Sequence, residues 1–542
     1  MADYNTVLRG GMIYDGSGTE PFQGDVAIQD DVIAAIDAPG TLSGARLIDV
    51  DGLAVAPGFI NMLSWATESL IIDGNSQSDI RQGVTLEVMG EGASMGPLNA
   101  EMKARRRDLI AENPRADYEI AWTTLGEYLQ HLEQLGVSPN VTSFVGSSTL
   151  RVYAIGYEDR DPTPDELHLM KQLTHQAMQE GAVGLSTALI YPPATFAKTP
   201  ELIELAKVVS EYDGLYISHI RSEGSQILQA LDEFLTITRE AAVRSEVYHL
   251  KAAGVQNWPL MDDVIAHIEA ARAEGLQVTA DMYTYPASGT GLTSCLPPWV
   301  QDGGHEAMME RLRDLEIREQ VKDEMTRPAD TWENMYSSNS PENILLAGFK
   351  NPDLKHYTGK RLSEVCALRG TAPKDTVLDL ILEDDSRIFT IYFSMTEDNL
   401  RKQVALPWLS FCSDAGSLTP EYPFDTYHAH PRAYGSFARV LGKYVRDEGL
   451  LTLQEAVRKL AALPADVLKI QKRGRLQVGH YADIAVFDPA LVQDHATFEN
   501  PHQYSTGMLH VFVNGGQVLR DGEHTGARPG RVVRGPGYNP NA

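Results

Sequence analysis

The chain has 542 residues, 43% of them apolar, which is enough for a large buried core and more than one domain. Its formal net charge of −28 excludes a broad nucleic-acid surface, since neutralising phosphates requires clustered Lys and Arg. No run of about 18 apolar residues is present, and the opening Met-Ala-Asp-Tyr-Asn lacks the basic and apolar regions of a signal peptide; a cytoplasmic protein without a membrane segment is therefore expected. The widely spaced Cys295, Cys366 and Cys412 read as reduced thiols rather than a disulfide framework.

Residues 1–56 alternate apolar and polar positions in short runs, such as Asp25-Val-Ala-Ile and Val32-Ile-Ala-Ala-Ile, broken by Gly, Asp and Pro turns. This pattern predicts one part of an antiparallel sheet. Over 57–285, strand-like runs alternate with helical patterns: Gly83-Val-Thr-Leu-Glu-Val-Met, Val141-Thr-Ser-Phe-Val-Gly, Ala182-Val-Gly-Leu-Ser, Gly214-Leu-Tyr-Ile-Ser-His, Val247-Tyr-His-Leu and Gln277-Val-Thr-Ala-Asp. Such alternation predicts parallel strands covered by helices, compatible with a (β/α)8 TIM-like barrel in the α/β class. A polar, helical stretch over 286–349 breaks the rhythm and reads as an inserted lid. Over 350–470 the barrel is expected to finish, with Leu409-Ser-Phe-Cys-Ser-Asp as a late strand. Residues 471–542 return to sheet texture, with Asn514-Gly515 as a hairpin signal, so both chain ends are expected to build one β-sandwich.

Strand ends in a parallel barrel converge on one pocket, which singles out four residues. His219 and His249 each follow a strand-like run and lie about thirty residues apart, the repeat of one βα unit. A lone histidine is ordinarily a core or surface residue; matching placement on adjacent strands makes a shared metal the better reading. Asp414 closes a strand and suits proton transfer, although a turn or helix-capping aspartate is the plainer alternative. Glu91 lies in Met89-Gly-Glu-Gly, where glycines permit close backbone approach; without a metal it is an ordinary loop carboxylate.

The segments Gly83-Val-Thr-Leu-Glu-Val-Met-Gly-Glu-Gly, Ser186-Thr-Ala-Leu-Ile-Tyr-Pro-Pro, Ser218-His-Ile-Arg-Ser-Glu-Gly, His249-Leu-Lys-Ala-Ala-Gly, Asp281-Met-Tyr-Thr-Tyr-Pro, Ser413-Asp-Ala-Gly and His430-Pro-Arg-Ala-Tyr-Gly resemble, in order and spacing, the N-acyl-D-amino-acid deacylase (D-aminoacylase) branch of the metal-dependent amidohydrolase superfamily. The resemblance covers nearly the whole chain. It implies that His219 and His249 bind zinc and that Asp414 is the catalytic acid/base. Where the family has a bridging cysteine this chain has no Cys, and Glu91 is the expected replacement, its neighbour Gly92 having no ligand atom. Where the superfamily carries His-x-His after the first strand, this chain has Leu63 and Trp65, so one metal per chain is expected, zinc or another divalent transition metal. The resemblance further implies Lys251, Tyr191, Tyr283 and Arg432 as a clamp for the free carboxylate of an N-acyl amino acid, with Tyr285 competing with Tyr283. His428 and His430 have metal-ligand spacing, but a structural or substrate-lining role suits their position better. The expected activity is amide hydrolysis of N-acyl amino acids. Its rivals are hydrolysis of another amide or a cyclic amide, and a metal-free binding relative. A homo-oligomer is compatible with an enzyme of this size.

Overall fold

The computed structural model describes residues 4–112, 116–329 and 331–540. The first three residues of the opening segment, residue 330 of the inserted stretch and the last two of the tail lie outside the described residues.

Strand β1 (Phe59–Ser64) pairs in parallel with β2 (Val84–Met89), and β2 with β3 (Asn140–Ser143, continued by Val145–Gly146). The continuation of β3 pairs with β4 (Gly184–Ala188), and the parallel order proceeds through β5 (Leu215–His219), β6 (Arg244–Val247), β7 (Val278–Met282) and β8 (Leu409–Phe411). A parallel bridge between Ser64 and Ala415 returns the sheet to β1, reinforced by Asp414 N–H donating to the Leu63 carbonyl and Trp65 N–H to that of Ala415, both at 2.9 Å. The eight strands thus close into the (β/α)8 ring that the alternating pattern predicts. No helix among the described residues is long and apolar enough to cross a membrane.

Covering helices begin where the sequence supplies caps. Thr124 with Glu127 and Thr163 with Glu166 form reciprocal capping boxes that satisfy free N–H groups at the starts of Leu125–Leu135 and Pro164–Glu180. In Ile227–Ala241 the buried Ile227, Ala230, Leu231, Phe234, Leu235, Thr238 and Ala241 recur at helical spacing and turn one stripe toward the barrel. Within the barrel, Asn61 of β1 donates to Glu87 of β2 at 3.0 Å and to Ser413 beyond β8 at 2.8 Å. These bonds fasten the strands on either side of the closure. Burial pushes the Glu87 carboxyl up to about 7, so this polar floor carries less charge than its composition suggests.

Both chain ends enter one nine-stranded sheet: Ala54–Pro57 lies between Tyr4–Ile13 on one side and Ile484–Phe487 on the other. Alternation divides the C-terminal strands between two cores. Ile484, Val486 and Phe512 join Leu8, Val26 and Ile33, whereas Ala485, Phe487, Val511 and Val513 pack with the barrel.

The inserted unit is longer than the expected 286–349. Ser288–Gly291 pairs with Phe389–Tyr392, which also pairs with Ile344–Gly348, and the unit's own hydrophobic core runs from Leu292 to Tyr392. Residues 350–392 therefore belong to the insertion and not to the end of the barrel. Polar helices hid this boundary, because the strand that closes the unit is only four residues long.

Beside the barrel mouth, Arg151 and Glu201 form an ion pair of 2.7 Å between side chains 1% and 5% exposed. Arg151 also donates to the carbonyls of Glu158 and Arg160, fixing a loop that borders the cavity. Arg151→Met is expected to destabilise the protein by about 3–5 kcal/mol, because Glu201 stays buried without its partner. A lowered urea midpoint, recovered in part by pairing the change with Glu201→Leu, is the measurement.

Candidate metal centre and active site

Glu91 lies two residues past β2, in a loop that only glycine permits. Gly90 and Gly92 have φ of +102° and +59°, and a Cβ on either would come within 2.5 Å of Phe144 O or Ala188 Cβ. Ser186 of β4 pins this loop from both sides, donating to the Gly90 carbonyl and accepting from Gly92 N–H at 3.0 Å. His219 is the last residue of β5. His249 lies two residues past β6 at φ +31°, an uncommon conformation for a non-glycine residue, and its N–H donates to Asp281 of β7 at 2.8 Å.

The three side chains meet. Glu91 Oε1 is 3.0 Å from His219 Nδ1 and 3.0 Å from His249 Nε2, and one ligand atom from each residue lies within 4.8 Å of the others. The far sides of the rings face Glu223: His249 Nδ1 is 3.0 Å from its Oε1, and His219 Nε2 is 3.5 Å from its Oε2. Lys251 Nζ completes this side, 2.6 Å from Glu223 Oε1 and 2.7 Å from His249 Nδ1.

A neutral imidazole carries one N–H, yet both nitrogens of each ring face a carboxylate. With His219 Nδ1 and His249 Nε2 unprotonated, as metal ligands are, both lone pairs point at the anionic oxygen of Glu91, and a positive charge must lie between them. The ion pairs of Glu91 among the described residues are both to histidine, so Lys and Arg do not supply that charge. Without a metal His249 holds a proton instead. Burial and Lys251 press His249 down, but Glu223 and Asp414 outweigh them and it is pushed up to about 10. Burial raises Glu91, yet its hydrogen bonds and charge contacts with the two histidines hold it below the usual carboxylate range. A divalent cation fits the same charge deficit, and one carboxylate with two imidazoles is a set of three ligands that zinc accepts with a position left open. Glu223 then lies behind both rings, closer to His249 Nδ1 than to His219 Nε2.

Asp414 lies three residues past β8 at φ +48°. Its Oδ1 accepts from Trp65 Nε1–H at 3.0 Å, and its Oδ2 is 2.6 Å from Arg432 Nη1. Tyr283 is buried with Arg432 stacked 4.5 Å from its ring, and Tyr191 lies edge-on to His219 with ring centroids 5.3 Å apart. Tyr285 turns elsewhere, donating to Asp494 at 3.0 Å. His430 Nε2 lies 3.0 Å from the Ala287 carbonyl and His428 Nε2 2.5 Å from that of Phe498, so neither joins the triad. A cavity of about 1490 Å3 is lined by Glu91, His219, His249, Asp414, Lys251, Tyr191, Tyr283 and Arg432, and by Glu333 and Arg387 of the insertion.

Sequence reasoning missed two carboxylates here. Glu223 had a signal: it lies four residues after His219, within the quoted Ser-His-Ile-Arg-Ser-Glu-Gly run. Glu333 had none; it comes from the insertion and accepts the Glu223 N–H at 2.6 Å. Burial and the charge of Glu223 push it up to about 7.

Known proteins share this architecture. A sequence model described as "Amidohydrolase family" matches residues 411–519. A D-aminoacylase from Alcaligenes xylosoxydans xylosoxydans is 34% identical over 531 residues, 98% of this chain and 97% of that protein. An N-acyl-D-aspartate deacylase from the same organism is 32% identical over 98% of this chain and 95% of its own length. The crystal structure of N-acyl-D-glutamate deacylase from Bordetella bronchiseptica, complexed with zinc and a phosphonate inhibitor, superposes with a TM-score of 0.81 at 30% identity, covering 98% of this chain and 100% of that one. With a full-length relative above 30% identity and the same barrel, this chain belongs to the D-aminoacylase and N-acyl-D-amino-acid deacylase family of amidohydrolases.

Proposed function

We propose that the protein is a zinc-dependent cytoplasmic hydrolase that cleaves the amide bond of N-acyl amino acids, with N-acyl-D-amino acids as the first substrates to test. The observation that carries this reading is the convergence of Glu91, His219, His249 and Asp414, from the ends of four different strands, on one cavity. A metal-free binding relative has no need of that set. The D configuration is taken from the activities named for the relatives, and the compartment is supported by three buried free thiols.

Glu91, His219 and His249 would hold the metal. When bound, zinc polarises an amide carbonyl and makes water a stronger acid at neutral pH. Asp414 takes the proton of the attacking water and returns it to the departing nitrogen as the C–N bond breaks, which yields a carboxylate and a free amine. Lys251, Tyr191, Tyr283 and Arg432 line the cavity and are assigned to the substrate carboxylate. Lys251 and Arg432 share their charge with Glu223 and Asp414, so the clamp relies on donor geometry as well as on net charge.

Elemental analysis of protein purified without added metal is expected to give about one zinc per chain, lost in Glu91→Ala and in His219→Ala. Two metals per chain would require ligands beyond this triad; none after reconstitution would refute the zinc enzyme. Asp414→Asn is expected to keep its zinc while kcat falls about 10²–10⁴-fold. Loss of the metal in that variant would make Asp414 a ligand. On a panel of N-acyl D- and L-amino acids and cyclic amides, turnover restricted to cyclic amides would overturn the substrate assignment.

A further inference from the structure

We propose that Trp65 is a positioning residue for Asp414: its indole N–H and the Arg432 guanidinium hold the two oxygens of the acid/base in one orientation. This rests on the proton-transfer role given to Asp414 above.

Three observations lead to it. The backbones are locked together, since Leu63 O accepts from Asp414 N–H, Ala415 O accepts from Trp65 N–H, and Ser64 bridges Ala415. The indole and the carboxylate therefore start from fixed points. Trp65 as a whole is 43% exposed at the cavity edge, so burial is not what its size is used for. Its one polar atom donates to Asp414 Oδ1 at 3.0 Å. Lastly, the Asp414 side chain is only 9% exposed and its backbone has φ +48°, so an anionic group in an uncommon conformation depends on its neighbours for both charge and direction.

Arg432 supplies the charge at Oδ2, 2.6 Å away, and is itself steadied by its stack on Tyr283. Trp65 supplies direction at Oδ1 without adding charge. A carboxylate has about four lone-pair sites, so the single indole donor leaves sites free to take a proton from water. Neither Leu63 nor Trp65 offers a metal-binding atom, and the indole puts a neutral donor on the acid/base at this end of β1. Misplacing a catalytic group by about 1 Å can cost about 10²-fold in rate, which sets the size of effect to look for.

The test begins with Trp65→Phe, which keeps a ring and removes the N–H, and with β-(3-benzothienyl)alanine at position 65, which keeps the indole shape and replaces the N–H by sulfur. Both are expected to retain the wild-type zinc content and a KM within about threefold while kcat falls about 10- to 100-fold. In parallel, the Trp65 indole 15N–1H resonance, assigned by its loss in Trp65→Phe, is expected to move upfield in Asp414→Asn. An unchanged kcat in the benzothienyl protein, or an effect confined to KM, overturns the positioning role and makes Trp65 a wall of the substrate cavity. An indole resonance that ignores Asp414→Asn overturns the contact itself. A wild-type protein inert on every N-acyl amino acid overturns the functional reading and with it the catalytic meaning of the contact, and the resonance then still decides whether the indole holds the carboxylate.

Discussion

Compensation of buried charge organises this molecule. Glu91, Glu223 and Asp414 are all buried at one end of the barrel, and isolated carboxylates there would be costly. Each is answered by particular partners: Glu91 by two imidazoles, Glu223 by the same imidazoles and Lys251, Asp414 by Arg432 and the Trp65 N–H. The histidines are common to two of these sets, so they cannot turn without disturbing both carboxylates. A cation on the Glu91 side would add the positive charge that Lys and Arg do not supply there.

The barrel matters because it fixes where these groups begin. His219 ends a strand, His249 and Glu91 lie just beyond strands, and Asp414 follows the strand that closes the ring. Neighbouring strands then correct the aim: Ser186 holds the glutamate loop, Asp281 holds the His249 backbone, and Leu63 holds that of Asp414. Loops between these strands can vary in length without moving the chemistry, and the long insertion after β7 takes that freedom furthest.

Much of this could be read from the sequence, for physical reasons. Strand runs of fully buried residues and helices with one apolar stripe follow from period and composition, so the barrel was legible; the chain ends, expected as a β-sandwich, enter one nine-stranded sheet. Glu91, His219, His249 and Asp414 stood out because each follows such a run. What escaped were relations that depend on side-chain direction. Tyr283 and Tyr285 have the same pattern, yet one lines the cavity and the other bonds Asp494. Trp65 read as an absent ligand, since the sequence does not reveal that its N–H reaches Asp414. The extent of the insertion was misjudged because residues 350–392 have ordinary helical texture, and only the pairing of Phe389–Tyr392 with Ser288–Gly291 shows where they belong.

That pairing has an evolutionary implication. The chain leaves the barrel at Ser288 and comes back at Tyr392, and these two residues stand opposite each other in one antiparallel ladder. The unit between them has its own core, and its first and last strands lie side by side in one four-stranded sheet. A lineage could lengthen, shorten or exchange such a module by recombination without breaking the ring that holds the ligands. Because Glu333 and Arg387 reach the cavity from this module, such an exchange would redesign the substrate wall while Glu91, His219, His249 and Asp414 stay on the barrel.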